Sequence, residues 1–179
     1  MLVSIGLRTD NQKERVYTQK MKKTTILTKA SALLIVMTML TLMLTGCTKT
    51  PVTTADFTAL AQTKDFIVED ASSQFSDYDY IKEVTIVAPK SLDYQIEFYV
   101  LSDAAHAQSF FENNKTNFEM NKGNVYTDSS SSGKNYAVYK LNSNGKYMFL
   151  ERVDNTVVYV DTDKKNQEAV EAFMKELKY

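Results

Sequence analysis

The chain of 179 residues carries 21 Lys and Arg, 22 Asp and Glu, one His and one Cys, for a formal net charge of −1. Only two acidic but seven basic residues precede Cys47, which leaves 14 basic against 20 acidic residues from Cys47 onward, a net of −6. An acidic main part argues against nucleic acid, whose binding needs a basic footprint, and against electrostatic docking on an anionic bilayer; a single cysteine excludes an intrachain disulfide and a thiolate metal cluster.

In chain order, the first feature is a leader. Lys20, Lys22, Lys23 and Lys29 precede a mostly apolar, uncharged run over residues 30–43. A basic flank, a short apolar stretch and then small residues make a secretory signal. The run is short for a spanning helix, which needs about 20 apolar residues. It ends in Leu44-Thr45-Gly46-Cys47, which resembles the lipobox of bacterial lipoproteins: an aliphatic residue, two small ones, then cysteine. The resemblance covers residues 21–47. It implies a diacylglyceryl group on the sulfur of Cys47 and cleavage just before Cys47; two or more acyl chains give stable anchoring, where a single chain binds only marginally. Met21-Lys22-Lys23 is the more usual beginning for such a leader. Residues 1–20 are accordingly expected to be a gene-model extension or a long basic n-region, and residues 21–46 the signal peptide.

Residues 47–53 are polar with one proline and read as the lipidated cysteine and a short tether. Thr53, with Asp56 three residues on, resembles a capping box and opens a helix that places Phe57, Leu60 and Ala61 on one face. Phe66-Ile67-Val68 reads as a strand. Residues 74–80 form a polar and aromatic connection without a period. Val84, Ile86 and Ala88 alternate with Glu83, Thr85 and Val87 in a strand that Pro89 ends. Tyr94, Ile96, Phe98 and Val100 alternate with Gln95, Glu97 and Tyr99, a strand expected to keep one face wetter. Ser102-Asp103 starts a helix, on which Ala107, Phe110, Phe111 and Phe118 share a side. Residues 121–135 are rich in Gly, Ser and Asn, with four serines at 129–132, and read as a mobile loop. Residues 136–141 and 146–153 are strands joined by a hairpin through Asn142-Ser-Asn-Gly145. Asp154-Asn155 turns into a strand over residues 156–160. A last helix over residues 164–177 carries Val170, Phe173, Met174 and Leu177 as its apolar stripe.

The order predicts an α+β fold in the sequence αβββαβββα: a largely antiparallel sheet of about six strands, with three helices mainly on one face, in a single domain over residues 54–179. Two segments, Glu97-Phe-Tyr-Val-Leu-Ser-Asp103 and Val157-Val-Tyr-Val-Asp-Thr-Asp163, share Tyr, Val and Asp in register. Three matches in seven fit either an internal duplication of an αβββ half or convergence on strand and cap chemistry.

The sequence nominates no catalytic residue, no metal ligand set and no cofactor. His106 is the sole imidazole and has no second histidine or free cysteine with which to form a common ligand set. The residue types of a Ser-His-Asp triad are present, without the Gly-x-Ser-x-Gly turn that would single out the serine. Glu69-Asp70, Asp77-Tyr-Asp79 and Asp161-Thr-Asp163 are carboxylate clusters, but none has the donor alternation and turn glycine of a calcium loop; loop and helix-cap roles fit them better. Gly123, Gly133 and Gly145 stand in turn contexts, not in a phosphate loop. Arg152-Val-Asp-Asn-Thr156 puts a cation, a carboxylate and an amide on one hairpin, either as part of a polar recognition site or as a tight turn. Tyr78, Tyr80, Tyr94, Tyr99, Tyr126, Tyr136, Tyr139, Tyr147 and Tyr159 either line a binding face or pack the sheet.

The expectation is a lipoprotein precursor whose domain stands on the extracytoplasmic face of the cell membrane, anchored through Cys47. It is read as an interaction module for an envelope protein, peptide or glycan, not as an enzyme. The alternative is a small envelope hydrolase built on a carboxylate pair, which no local motif would reveal.

Overall fold

The computed structural model describes residues 47–179, and the readings placed on residues 1–20 and 21–46 lie outside the described residues. The elements are α1 (Thr54–Thr63), β1 (Ile67–Asp70), β2 (Ile81–Ala88), β3 (Ile96–Leu101), α2 (Ala104–Met120), β4 (Tyr126–Ser132), β5 (Tyr136–Ser143), β6 (Lys146–Val153), β7 (Thr156–Asp163) and α3 (Gln167–Leu177). The strands form one sheet in the order β1-β2-β3-β7-β6-β5-β4, and every neighbouring pair is antiparallel. The fold is α+β. The strand count is seven instead of six, and the order αβββαββββα.

Local chemistry sets the ends of these elements. Thr53 and Asp56 close a capping box at α1: the Asp56 N–H donates to Thr53 Oγ1 at 3.1 Å and the Thr53 N–H to Asp56 Oδ2 at 3.2 Å. The Thr53 hydroxyl also donates to Asp56 Oδ2 at 2.6 Å, and that bond, with the one from the Thr53 N–H, stabilises the ionised carboxylate and holds Asp56 below the usual carboxylate range. Asp103 caps α2 through its bond from the His106 N–H, 2.8 Å. Asn144 and Gly145 both adopt positive φ, 53° and 75°, as the β5–β6 hairpin requires, and Asp154 does so at 49° in the β6–β7 turn.

The central strands are buried on both faces. Along β3, Ile96 and Phe98 point into one core and Tyr99 and Leu101 into another. The face expected to be wetter is so only in part: Gln95 is exposed and Glu97 half-buried, while Tyr99 is only 5% exposed. Phe57 and Ala61 of α1 pack with Val170, Phe173, Met174 and Leu177 of α3 on one side of the sheet. Ala107, Phe111 and Phe118 of α2 pack on the other. Two helices thus lie on one face and the third on the other, so both faces are covered. Near-continuous apolar runs such as Thr156-Val-Val-Tyr-Val160 demand this, since each sheet face must be shielded from water.

The same placement bears on the internal echo. Its two segments do lie side by side, with Glu97 opposite Tyr159 and Val100 opposite Thr156. A two-fold axis relating antiparallel neighbours stands perpendicular to the sheet, so it would put the helices that follow β3 and β7 on the same face. Helices α2 and α3 lie on opposite faces, and the halves are not equivalent.

The serine-rich span read as a loop holds β4, which runs along β5 from the pair Tyr126–Ser143 to Ser132–Ala137. All seven β4 residues are exposed. The strand therefore owes nothing to buried side chains; its backbone pairs with β5, and that pairing leaves no hydrophobic period to read. The turn that follows needs Gly133, because a Cβ there would collide with the Tyr136 ring and the Cys47 carbonyl oxygen. At an edge strand only the inward amides are bonded. Hydrogen exchange along residues 126–132 is therefore expected to alternate, with every second amide protected. Uniformly fast exchange would contradict the pairing.

Candidate functional site

One end of the sheet carries a groove of about 470 Å³ between the start of β2 and α2, lined by Phe75, Tyr78, Tyr80, Ile81, His106, Ser109, Phe110, Asn113 and Asn114. A single turn of 3₁₀ helix, Ser72–Phe75, sets one wall. The Asp70 carboxylate accepts from the Ser72 N–H at 2.9 Å, and Ser72 Oγ accepts from the Val84 N–H at 3.0 Å, which fixes the turn to the sheet. The bonds from the Ser72 side chain and backbone hold Asp70 below the usual carboxylate range. The Tyr78 N–H donates to Phe75 O and the Ile81 N–H to Tyr78 O, at 2.9 and 2.8 Å, so the chain enters β2 already folded back.

Aromatic rings build the walls. The imidazole of His106 stacks on Tyr80 with centroids 5.4 Å apart and planes 9° apart, and Tyr78 meets Tyr80 edge-on at 5.8 Å. Phe75 and Phe110 both contact Tyr99, at 5.6 and 4.7 Å. Burial raises the Tyr99 phenol and keeps it neutral. Ser109, Asn113 and Asn114 supply hydroxyl and amide groups. No carboxylate lines the groove.

Ser102, Asp103 and His106 do come together, but not as a relay. Ser102 Oγ lies 3.0 Å from His106 Nδ1, and Asp103 Oδ2 lies 2.8 Å from that same nitrogen. A triad needs the serine on one ring nitrogen and the carboxylate on the other. Asp103 serves as the helix cap, and its bonds from His106, the backbone N–H first, hold it below the usual carboxylate range.

The other nominated groups are spent elsewhere. Arg152 Nη1 donates to the backbone oxygens of Asn135 and Asp154, both at 3.3 Å. Asp154 accepts from Asn135 Nδ2 at 3.0 Å, and Asn155 Nδ2 donates to Leu101 O at 3.0 Å. These groups close turns onto one another, with Arg152 Nε left buried and unpaired. Asp163 pairs with Lys146 at 3.1 Å, and that hydrogen bond raises the lysine. Among the described residues, no group of three or more His, Cys, Asp or Glu is placed to hold a metal ion. Of the nine tyrosines, only Tyr78 and Tyr80 reach the groove; Tyr99, Tyr139 and Tyr147 are core residues.

Sequence reasoning missed a second constellation, on the opposite edge. Residues 47–53 are not a free tether. The Lys134 N–H donates to Cys47 O at 3.2 Å. Lys49 and Asn135 exchange two bonds, Lys49 N–H to Asn135 Oδ1 at 3.0 Å and Asn135 Nδ2 to Lys49 O at 2.8 Å. Lys49 Nζ pairs with Glu151 and donates to the backbone oxygen of Tyr179 at 2.6 Å. Glu151 is only 4% exposed; burial pushes its carboxyl up, and Lys49 opposes that. Lys49 and Glu151 are 102 residues apart, so no local pattern could pair them.

No family model, curated protein or solved structure matches the chain.

Proposed function

We propose that the chain is the precursor of a lipid-anchored module on the extracytoplasmic face of the cell membrane, and that its groove binds an envelope peptide or glycan without acting on it chemically. The anchor rests on the leader and on Leu44-Thr45-Gly46-Cys47; Cys47 itself is an exposed free thiol. The observation that carries the binding role is the groove lining: aromatic faces of Phe75, Tyr78, Tyr80 and Phe110 beside the amides of Asn113 and Asn114. Apolar walls with a few placed polar groups suit a small ligand or a peptide side chain. Stacked aromatic faces equally suit the C–H faces of a sugar. The competing reading, a carboxylate-based hydrolase, needs two carboxylates across a cleft. Glu151, the carboxyl raised by burial, is committed to Lys49 and lies outside the groove.

Muropeptides carry both sugar and peptide and so probe both ligand classes. Added to the isotope-labelled protein from Cys47 onward, with Cys47→Ser, they should shift backbone amide signals within residues 75–81 and 106–114. Ser109→Trp, which fills the groove, should weaken binding at least tenfold. Shifts confined to other surfaces would defeat the groove assignment, and mass-spectrometric detection of cleaved muropeptides would defeat the non-catalytic reading.

A further inference from the structure

We propose that the domain stands on the membrane in one fixed orientation, with the β4–β5 turn at residues 133–135 seated against the lipid headgroups. This rests on the lipidation of Cys47 proposed above. Given that lipid, the geometry of the chain just after Cys47 decides how the domain sits. Seven extended residues would reach about 23 Å and let every face of the domain visit the bilayer. The segment is docked instead. Its first carbonyl, that of Cys47, accepts from the Lys134 N–H at 3.2 Å. Two residues on, Lys49 is clamped by Asn135 through both backbone groups. Its ammonium is held by Glu151 and Tyr179 O and lies 5.2 Å from the centre of the Tyr136 ring. Val52 then packs against the core beside α1 and α3. Gly133 is part of the fit, since any side chain there would strike the Cys47 carbonyl. No slack remains between the lipidated residue and the hairpin.

The glycerol on the Cys47 sulfur must lie at headgroup level for its acyl chains to enter the hydrocarbon. The turn that holds the Cys47 carbonyl is then within about one residue's length of the headgroups, roughly 4 Å. The length of the link sets this seat, and charge does not: Lys134 is the exposed cation on the turn, and Asp154 beside it is taken up by Asn135. The sheet then projects outward. Tyr126 and the Asn144-Gly145 turn lie at the far end of β4 and β5, about 20 Å from the seat at a rise of some 3.3 Å per residue. Val125, 87% exposed, lies at that outer end. The groove opens at the seated end, where Ile81 pairs with Leu101 and the Ser102 N–H donates to Tyr80 O. It lies four strands across from β5. Its occupant is therefore one that lies close to the membrane surface.

The test uses the full chain, processed in cells and reconstituted in phosphatidylcholine vesicles with a headgroup spin-labelled lipid. Once Cys47 is a thioether, a single added cysteine takes a fluorophore at Lys134→Cys or at Val125→Cys. Quenching by the spin label should be several-fold stronger at position 134 than at 125. A six-residue Gly-Ser insertion between Cys47 and Thr48 restores a free tether and should make the two positions nearly equal. Equal quenching without the insertion, in protein whose mass shows acylated Cys47, overturns the fixed orientation and leaves the anchor intact. Protein that carries no acyl mass overturns the anchor itself, and the orientation with it.

Discussion

Cys47→Ala is expected to leave the full-length precursor uncleaved and to remove essentially all of the processed, lipid-held form from the membrane fraction. The sulfur is the atom on which the diacylglyceryl group is built, and without two or more acyl chains anchoring falls to marginal and reversible. The same variant should melt like the parent. The Cys47 side chain is exposed, and its contact with the domain is through the carbonyl, which accepts from the Lys134 N–H. An alanine keeps that carbonyl. Loss of processing with unchanged stability thus separates the anchoring role from a structural one. Normal processing and retention of the Ala variant would refute the lipoprotein reading, and a large drop in melting temperature would show that the sulfur has a packing role.

Lys49→Met should destabilise the domain by about 2–3 kcal/mol. Removing one partner of a buried pair strands the other charge and typically costs about 3–5 kcal/mol. Lys49 is about a third exposed, so water reaches into the gap and the lower end applies. For a domain of this size that is roughly a 10 °C fall in melting temperature. Acidification should reduce the deficit. Burial raises the Glu151 carboxyl above its ordinary value of 4.5, so the folded state holds the proton more tightly than the unfolded chain. A carboxyl shifted that way makes stability greatest below the ordinary value and lowers it as pH rises toward the folded-state value. Removing Lys49 strengthens the upward shift, so the variant should lose more stability than the parent between acid and neutral pH. Glu151→Gln should cost less than Lys49→Met, because the ammonium it strands can turn to solvent. A Lys49→Met protein within 0.5 kcal/mol of the parent, or one whose deficit grows on acidification, would contradict the clamp.

Where the signal was local, the sequence carried it. Thr53 with Asp56, Ser102-Asp103 and Asn144-Gly145 mark two helix starts and a hairpin, because caps and positive-φ turns depend on adjacent residues. The stripe of Val170, Phe173, Met174 and Leu177 is buried as its spacing predicts. Strand β4 was illegible for a physical reason: its serines face solvent on both sides, and only the backbone of β5 makes them a strand. The sidedness of the helices was not legible because packing on one face follows from the general habit of antiparallel sheets and the αβββ echo, whereas Tyr99 and Leu101 of β3 are buried on the face opposite Ile96 and Phe98, with Glu97 beside Tyr99. The hydrogen bond from the Tyr99 hydroxyl to Glu97 lets that mixed face accept a helix.

The groove was half legible. The aromatic residues of the connection over 74–80 stood out without a period, because a 3₁₀ turn and a bend, not a strand, present them. Ser109, Asn113 and Asn114 lie on a flank of α2 beside the apolar stripe, where polar residues are ordinarily solvent-facing; only the position of Phe75 and Tyr78 opposite them makes a cleft. The clamp of Cys47, Lys49, Asn135 and Glu151 joins three distant stretches, and nothing in the sequence around Lys49 distinguishes it from a tether lysine.

The most direct measurement is the intact mass of the protein extracted from membranes. The expected result is a chain that begins at Cys47 and carries the mass of a diacylglyceryl group with its acyl chains. A chain that retains residues before Cys47, or one that begins there with an unmodified thiol, would contradict it.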